Sequence, residues 1–157
     1  MASKEKYIIG ISLGTNVMGI AVIQGKSLVY WQTKTIKGIW SEKKLHKCIS
    51  SIDRVFRKFN ISNCGIKIIH PSQVSPGYSR LQEAIEKVFY IEDIPVWKLD
   101  MNDLRTFCGI KEKCPKEFMA SYLQNLYPEW NMEQYLNSYY FKVQEAIISA
   151  LIVESKN

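Results

Sequence analysis

Gly10-Ile-Ser-Leu-Gly-Thr-Asn-Val-Met-Gly19 is the stretch on which the reading of this chain turns. On either side lie runs rich in apolar and β-branched residues, Tyr7 to Ile11 and Val17 to Ile23, and between them Gly14-Thr-Asn16 is turn material. A third such run, Leu28 to Thr35, follows the short connection Gln24-Gly25-Lys26. The spacing predicts three consecutive strands in an antiparallel meander.

Working outward, the period changes from two to about three and a half. Leu45, Ile49, Ile52, Phe56 and Phe59 mark one face of a helix from Ser41 to Phe59, while Lys43, Lys47, Arg54 and Lys58 fall on its other face. Gly65 to Ile69 then reads as a buried strand, His70 to Gly77 as a loop, Ser79 to Phe89 as a helix and Ile94 to Trp97 as a short strand. A strand, a helix and a strand in succession imply parallel pairing. Asp100 to Phe107 reads as a helix stopped by Gly109, Pro115 opens another running to about Leu126, and Ser138 caps a last one through Val153. The order βββαβαβααα is that of an α/β protein: a mixed sheet of about five strands, three antiparallel and then parallel ones, flanked by helices.

At 157 residues, 46% hydrophobic and 23% charged, the chain has the size and balance of one globular domain rather than of a disordered segment. No apolar run approaches the ~20 residues of a membrane helix, so a cytoplasmic protein with no membrane partner is expected. Cys48, Cys64, Cys108 and Cys114 form no Cys-x-x-Cys pair, and His46 and His70 lie far apart in sequence, so reduced thiols are expected in place of a zinc site. The net charge of +6 favours polyanions. All of it resides between Lys34 and Lys58, where eight cations face only Glu42 and Asp53.

Gly10-Ile-x-x-Gly-Thr-x-x-x-Gly19, the Ile-Ala-Val-Ile that follows and Gly25-x-x-Leu-Val-Tyr30 resemble the opening of the RuvC-type Holliday-junction resolvases of the RNase H-like superfamily. Gly109 with the basic run to Pro115-Lys116 is similar to that family's Gly-rich, Lys-containing segment, and Gln144 to Ala150 resembles its closing helix. The resemblance spans most of the chain and implies one RuvC-like domain over residues 1–157, acting as a homodimer on branched DNA. The opening motif also resembles the phosphate loop of actin-like sugar kinases and chaperone ATPases, which bind ATP between two such domains; here only one is expected.

Family members cut phosphodiesters with two Mg²⁺ ions about 4 Å apart, held by four acidic or metal-compatible side chains. Aligned residue by residue, those catalytic positions fall on Ser12, His70, Lys142 and Glu145. Only Glu145 is an acid. A hydroxyl is a weak ligand for Mg²⁺, an imidazole nitrogen a disfavoured one, and a lysine brings positive charge to where the cations belong. The expectation is a catalytically degenerate domain with no metal or other cofactor, which has lost two-metal cleavage and binds DNA, possibly branched, or RNA.

Candidate nucleic-acid contacts are Lys111, Lys113 and Lys116, which the resemblance puts near the active face, and Lys43, Lys47, Arg54 and Lys58 on the basic helix. The loop after His70 lacks the aromatic wedge with which resolvases open a junction, and Tyr78 is the available substitute. Two other readings stand beside this one. One is an active Mg²⁺-dependent endonuclease whose site is rebuilt from Glu83, Glu86, Asp100 or Asp103; the other is a protein-interaction module, to which the aromatic-rich final third is suited.

Overall fold

A computed structural model describes residues 6–14, 16–35, 41–109, 117–129 and 138–156. Strands β1 (Tyr7–Ser12), β2 (Val17–Gln24) and β3 (Ser27–Thr35) form the expected meander, and β4 (Ile61–Lys67) and β5 (Val96–Leu99) join β1 on its other side. The sheet order is β3-β2-β1-β4-β5, with β1 antiparallel to β2 and parallel to β4. The central strand is therefore the one that carries the opening motif.

The first three helices begin where the sequence supplies a cap. Ser41 accepts the N–H of Lys44 to start α1 (Glu42–Lys58). Ser75 accepts that of Tyr78 to start α2 (Pro76–Ile91). Asp100 and Asp103 form a reciprocal capping box on α3 (Met101–Cys108), which ends on Gly109 in the left-handed region at φ 76°. The last two helices are α4 (Glu117–Leu126) and α5 (Ser138–Ser155).

Several boundaries differ from the sequence reading, among them β5, which runs from Val96 to Leu99 and not from Ile94 to Trp97, and two of the differences reach candidate site residues. Helix α2 begins three residues earlier than Ser79, because Ser75 with Pro76 in the first turn is a complete start signal. Strand β4 begins at Ile61 and ends at Lys67 instead of spanning Gly65 to Ile69. Its polar start, Ser62-Asn63, reads as loop, yet it pairs with the start of β1. That shift of the strand end bears directly on the functional site.

The sheet has a core on each face. Ile9, Ile11, Met18, Ile20, Val22 and Ile66 point to the side covered by α1 and α2. Ile8, Ala21 and Ile23 point to the other, where α5 lies against the sheet with α3 and α4 beside it. Alternation along β1 then assigns Gly10 and Ser12 to the α5 side. Three glycines let α5 approach that closely. A Cβ on Gly10 would overlap the Ala146 carbonyl, one on Gly19 the Lys142 carbonyl, and one on Gly65 would lie 2.6 Å from the Ser149 oxygen. Two of the glycines that carry the sequence resemblance, Gly10 and Gly19, thus form the floor on which the last helix rests.

Candidate functional site: a lysine-filled acidic cluster

Ser12 and Lys67 are the last residues of neighbouring parallel strands, and their Cα atoms are register partners. Both project toward α5, from which Glu145 and Lys142 come down one helical turn apart. Glu145 is the hub: its Oε1 accepts a 2.8 Å hydrogen bond from Ser12 Oγ and lies 3.3 Å from Lys142 Nζ, and its Oε2 lies 3.5 Å from Lys67 Nζ. Ser12 is fully buried, the Glu145 and Lys67 side chains are 2% and 7% exposed, and that of Lys142 is 22% exposed.

Burial alone would push the Glu145 carboxyl upward, but the ammoniums of Lys142 and Lys67 and the Ser12 hydroxyl outweigh it and hold the group below its ordinary value. The carboxylate is charged and bonded on both oxygens. An unpaired charge at this depth would cost several kcal/mol, so the buried carboxylate requires compensation by the ammoniums beside it.

Three of the four positions named from the sequence thus converge: Ser12, Lys142 and Glu145. His70 does not join them. It lies three residues beyond β4, exposed, and its Nδ1 accepts the Ser72 N–H at 3.1 Å to cap the short 3-10 turn Pro71–Gln73. The place beside Ser12 belongs to Lys67. The difference lies at the end of β4, which stops at Lys67 and not at Ile69. The sequence signal for it is a lone lysine between Ile66 and Ile68.

Residues of this kind do not suit a two-metal centre. The one carboxylate has both oxygens engaged, and two ammoniums sit on either side of it where cations would have to bind. Among the described residues, no three His, Cys, Asp or Glu side chains are grouped as metal ligands would be. The acids considered for a rebuilt site are accounted for elsewhere: Asp100 and Asp103 cap α3, Glu86 pairs with Lys98 at 2.9 Å, and Glu83 is exposed on α2.

The nucleic-acid candidates divide. Lys43, Lys47, Arg54 and Lys58 are exposed on α1, across the sheet from Glu145, and Lys58 also lies over the Tyr30 ring at 5.4 Å. Tyr78 is not an exposed wedge: it is 4% exposed in the α1–α2 core, where its hydroxyl accepts the Ile69 N–H at 3.0 Å. Its spacing with Leu81, Ile85 and Phe89, all buried on α2, explains why. Lys111, Lys113 and Lys116 lie outside the described residues. Of the aromatic-rich final third, Tyr127 is buried and donates to the Lys26 carbonyl at 2.8 Å, and Tyr122 packs edge-on against Phe107. Both belong to the core. Cys48 and Cys64 are buried free thiols, with Cys64 pushed well up by burial, and Cys108 is half-buried; Cys114 is outside the described residues. No described helix is long and apolar enough to cross a membrane.

No protein-family model matches the sequence, and no curated protein does either. Solved structures do. T. thermophilus RuvC in complex with a Holliday junction substrate superposes with a TM-score of 0.73 at 12% identity, over 93% of this chain and 90% of that one. The fowlpox virus resolvase, in complex with substrate Holliday junction DNA, gives 0.62 at 16%, over 96% and 99%. The yeast mitochondrial Holliday junction resolvase gives 0.63 at 12%, over 98% and 78%. The chain therefore has the fold of the RuvC-type resolvases, and the sequence resemblance holds at that level.

Proposed function

We propose that this chain is a RuvC-like domain that binds DNA, branched or duplex, and does not cut it. The observation that carries the reading is the Ser12-Lys67-Lys142-Glu145 cluster. It occupies the ends of β1 and β4 and the facing turn of α5, where the resemblance implies an acidic metal centre, and its one carboxylate is paired with two ammonium groups.

The scaffold around the cluster supports binding as the retained property. The three glycines that seat α5 keep the backbone of the resolvase fold, and two of the similar structures hold Holliday junction DNA. The surplus of eight cations over two acids in residues 34–58 adds attraction for a phosphate backbone. A homodimer on a two-fold junction is the assembly this reading implies.

A fluorescence-anisotropy titration with a synthetic four-way junction, run with a cleavage assay in Mg²⁺ and Mn²⁺, tests it. The expected result is salt-sensitive binding with no product in either metal. Absence of binding at low salt would overturn the reading in favour of a protein-interaction module, and cleavage abolished by Glu145→Gln would overturn it in favour of an enzyme.

A further inference from the structure

We infer that the cluster is an anion site in which Lys142 presents its ammonium to a backbone phosphate of the nucleic acid. The inference rests on the binding reading above and names the contact through which it operates. Four observations carry it.

The first is charge. Two ammoniums, those of Lys67 and Lys142, stand beside the Glu145 carboxylate. The second is access. Exposure rises from Ser12 at 0%, through Glu145 at 2% and Lys67 at 7%, to Lys142 at 22%, so Lys142 is the cation of the cluster that reaches the surface. The third is bonding capacity. An ammonium has three N–H donors, and Lys142 faces Glu145 through one carboxylate oxygen, Oε1, at 3.3 Å.

The fourth is shape. Lys142 runs over Gly14, in the connection between β1 and β2, and a Cβ there would stand 2.7 Å from its Cε and 3.3 Å from its Nζ. The glycine leaves room for the lysine in this position, and a Cβ would also stand 2.8 Å from the Val17 carbonyl oxygen. The cluster lies at the carboxyl ends of the parallel strands β1 and β4, where open α/β sheets take their ligands. A phosphodiester has the charge and the acceptor oxygens to meet an ammonium there.

The test is a titration of a synthetic four-way DNA junction in EDTA across a salt series, with the wild type, Lys142→Met, Lys142→Gln and Lys142→Arg. Lys142→Gln removes the charge but keeps a donor for Glu145, so the outcome does not depend on how well Lys142→Met folds. Wild type is expected to bind fully in EDTA. Both neutral variants should bind roughly tenfold more weakly at low salt. Their log-log salt slope should be shallower by about 0.9, the value of one phosphate contact, and Lys142→Arg should restore both. Neutral variants that bind like wild type with an unchanged slope would overturn the phosphate contact and leave the binding reading standing. Failure of the wild type itself to bind would overturn both.

Discussion

The two faces of the sheet are built on opposite principles. On the α1 and α2 side, large aliphatic side chains fill the space between sheet and helices, and the helices keep polar outer surfaces. On the α5 side, glycines remove side chains so that a helix buried from Val143 to Val153 can lie on the strands, and the layer ends in a charged cluster. The first face tolerates small changes of volume, as apolar cores generally do. On the second, the helix backbone touches the sheet backbone, so there is nothing soft to yield.

The largest expected effect follows from that contrast. Gly19→Ala drives a Cβ into the Lys142 backbone and should destabilise the fold by about 4 kcal/mol, whereas Ile11→Val on the other face should cost only about 1 kcal/mol. Chemical denaturation of both variants checks it. Equal losses would mean that α5 is free to shift away from the sheet.

Next in size is Glu145→Gln, which removes the anion between two ammoniums and should cost about 3 kcal/mol. A smaller effect of the same origin appears with pH. Because the folded carboxyl lies below its ordinary 4.5, the unfolded state takes up its proton first, so the stabilisation is present above 4.5 and is lost as pH falls through the folded value. Stability profiles should show this acid-side loss in wild type and a flatter slope in Glu145→Gln. Identical slopes would mean that the cluster contributes no pH-linked stability.

The smallest effect on stability is expected on α1, where replacing Lys43, Lys47 or Arg54 by Ala should change it by less than about 0.5 kcal/mol. The same variants sharpen the functional contrast. If they weaken junction binding more than Lys142→Gln does, the DNA follows the α1 face and not the α5 end of the sheet.

Legibility differed between the two faces for the same physical reason. Helix α1 is half exposed, so its 3.6-residue period shows in Leu45, Ile49 and Ile52 against Lys43 and Lys47, and its bounds were readable to within a residue. The element order and the mixed sheet were likewise visible, because each strand and turn follows local rules. Pairing between distant segments was not. Lys67 was passed over because the end of β4 depends on its alignment with β1 and β5, which no single segment encodes. Tyr78 looked available as a wedge because a loop was expected to run to Gly77, when the helix already begins at Pro76 and turns the ring inward. Ser12, Lys142 and Glu145 were found through the resemblance; their hydrogen bond and ion pairs needed the fold.

Whether the ammoniums around Glu145 leave no place for a metal ion is tested most directly by calorimetric titration of Mn²⁺ into the folded protein, with Glu145→Gln as control. The account predicts no saturable heat of binding in either protein. A saturable site in the wild type that is lost in Glu145→Gln would show that the carboxylate still holds metal, and would contradict it.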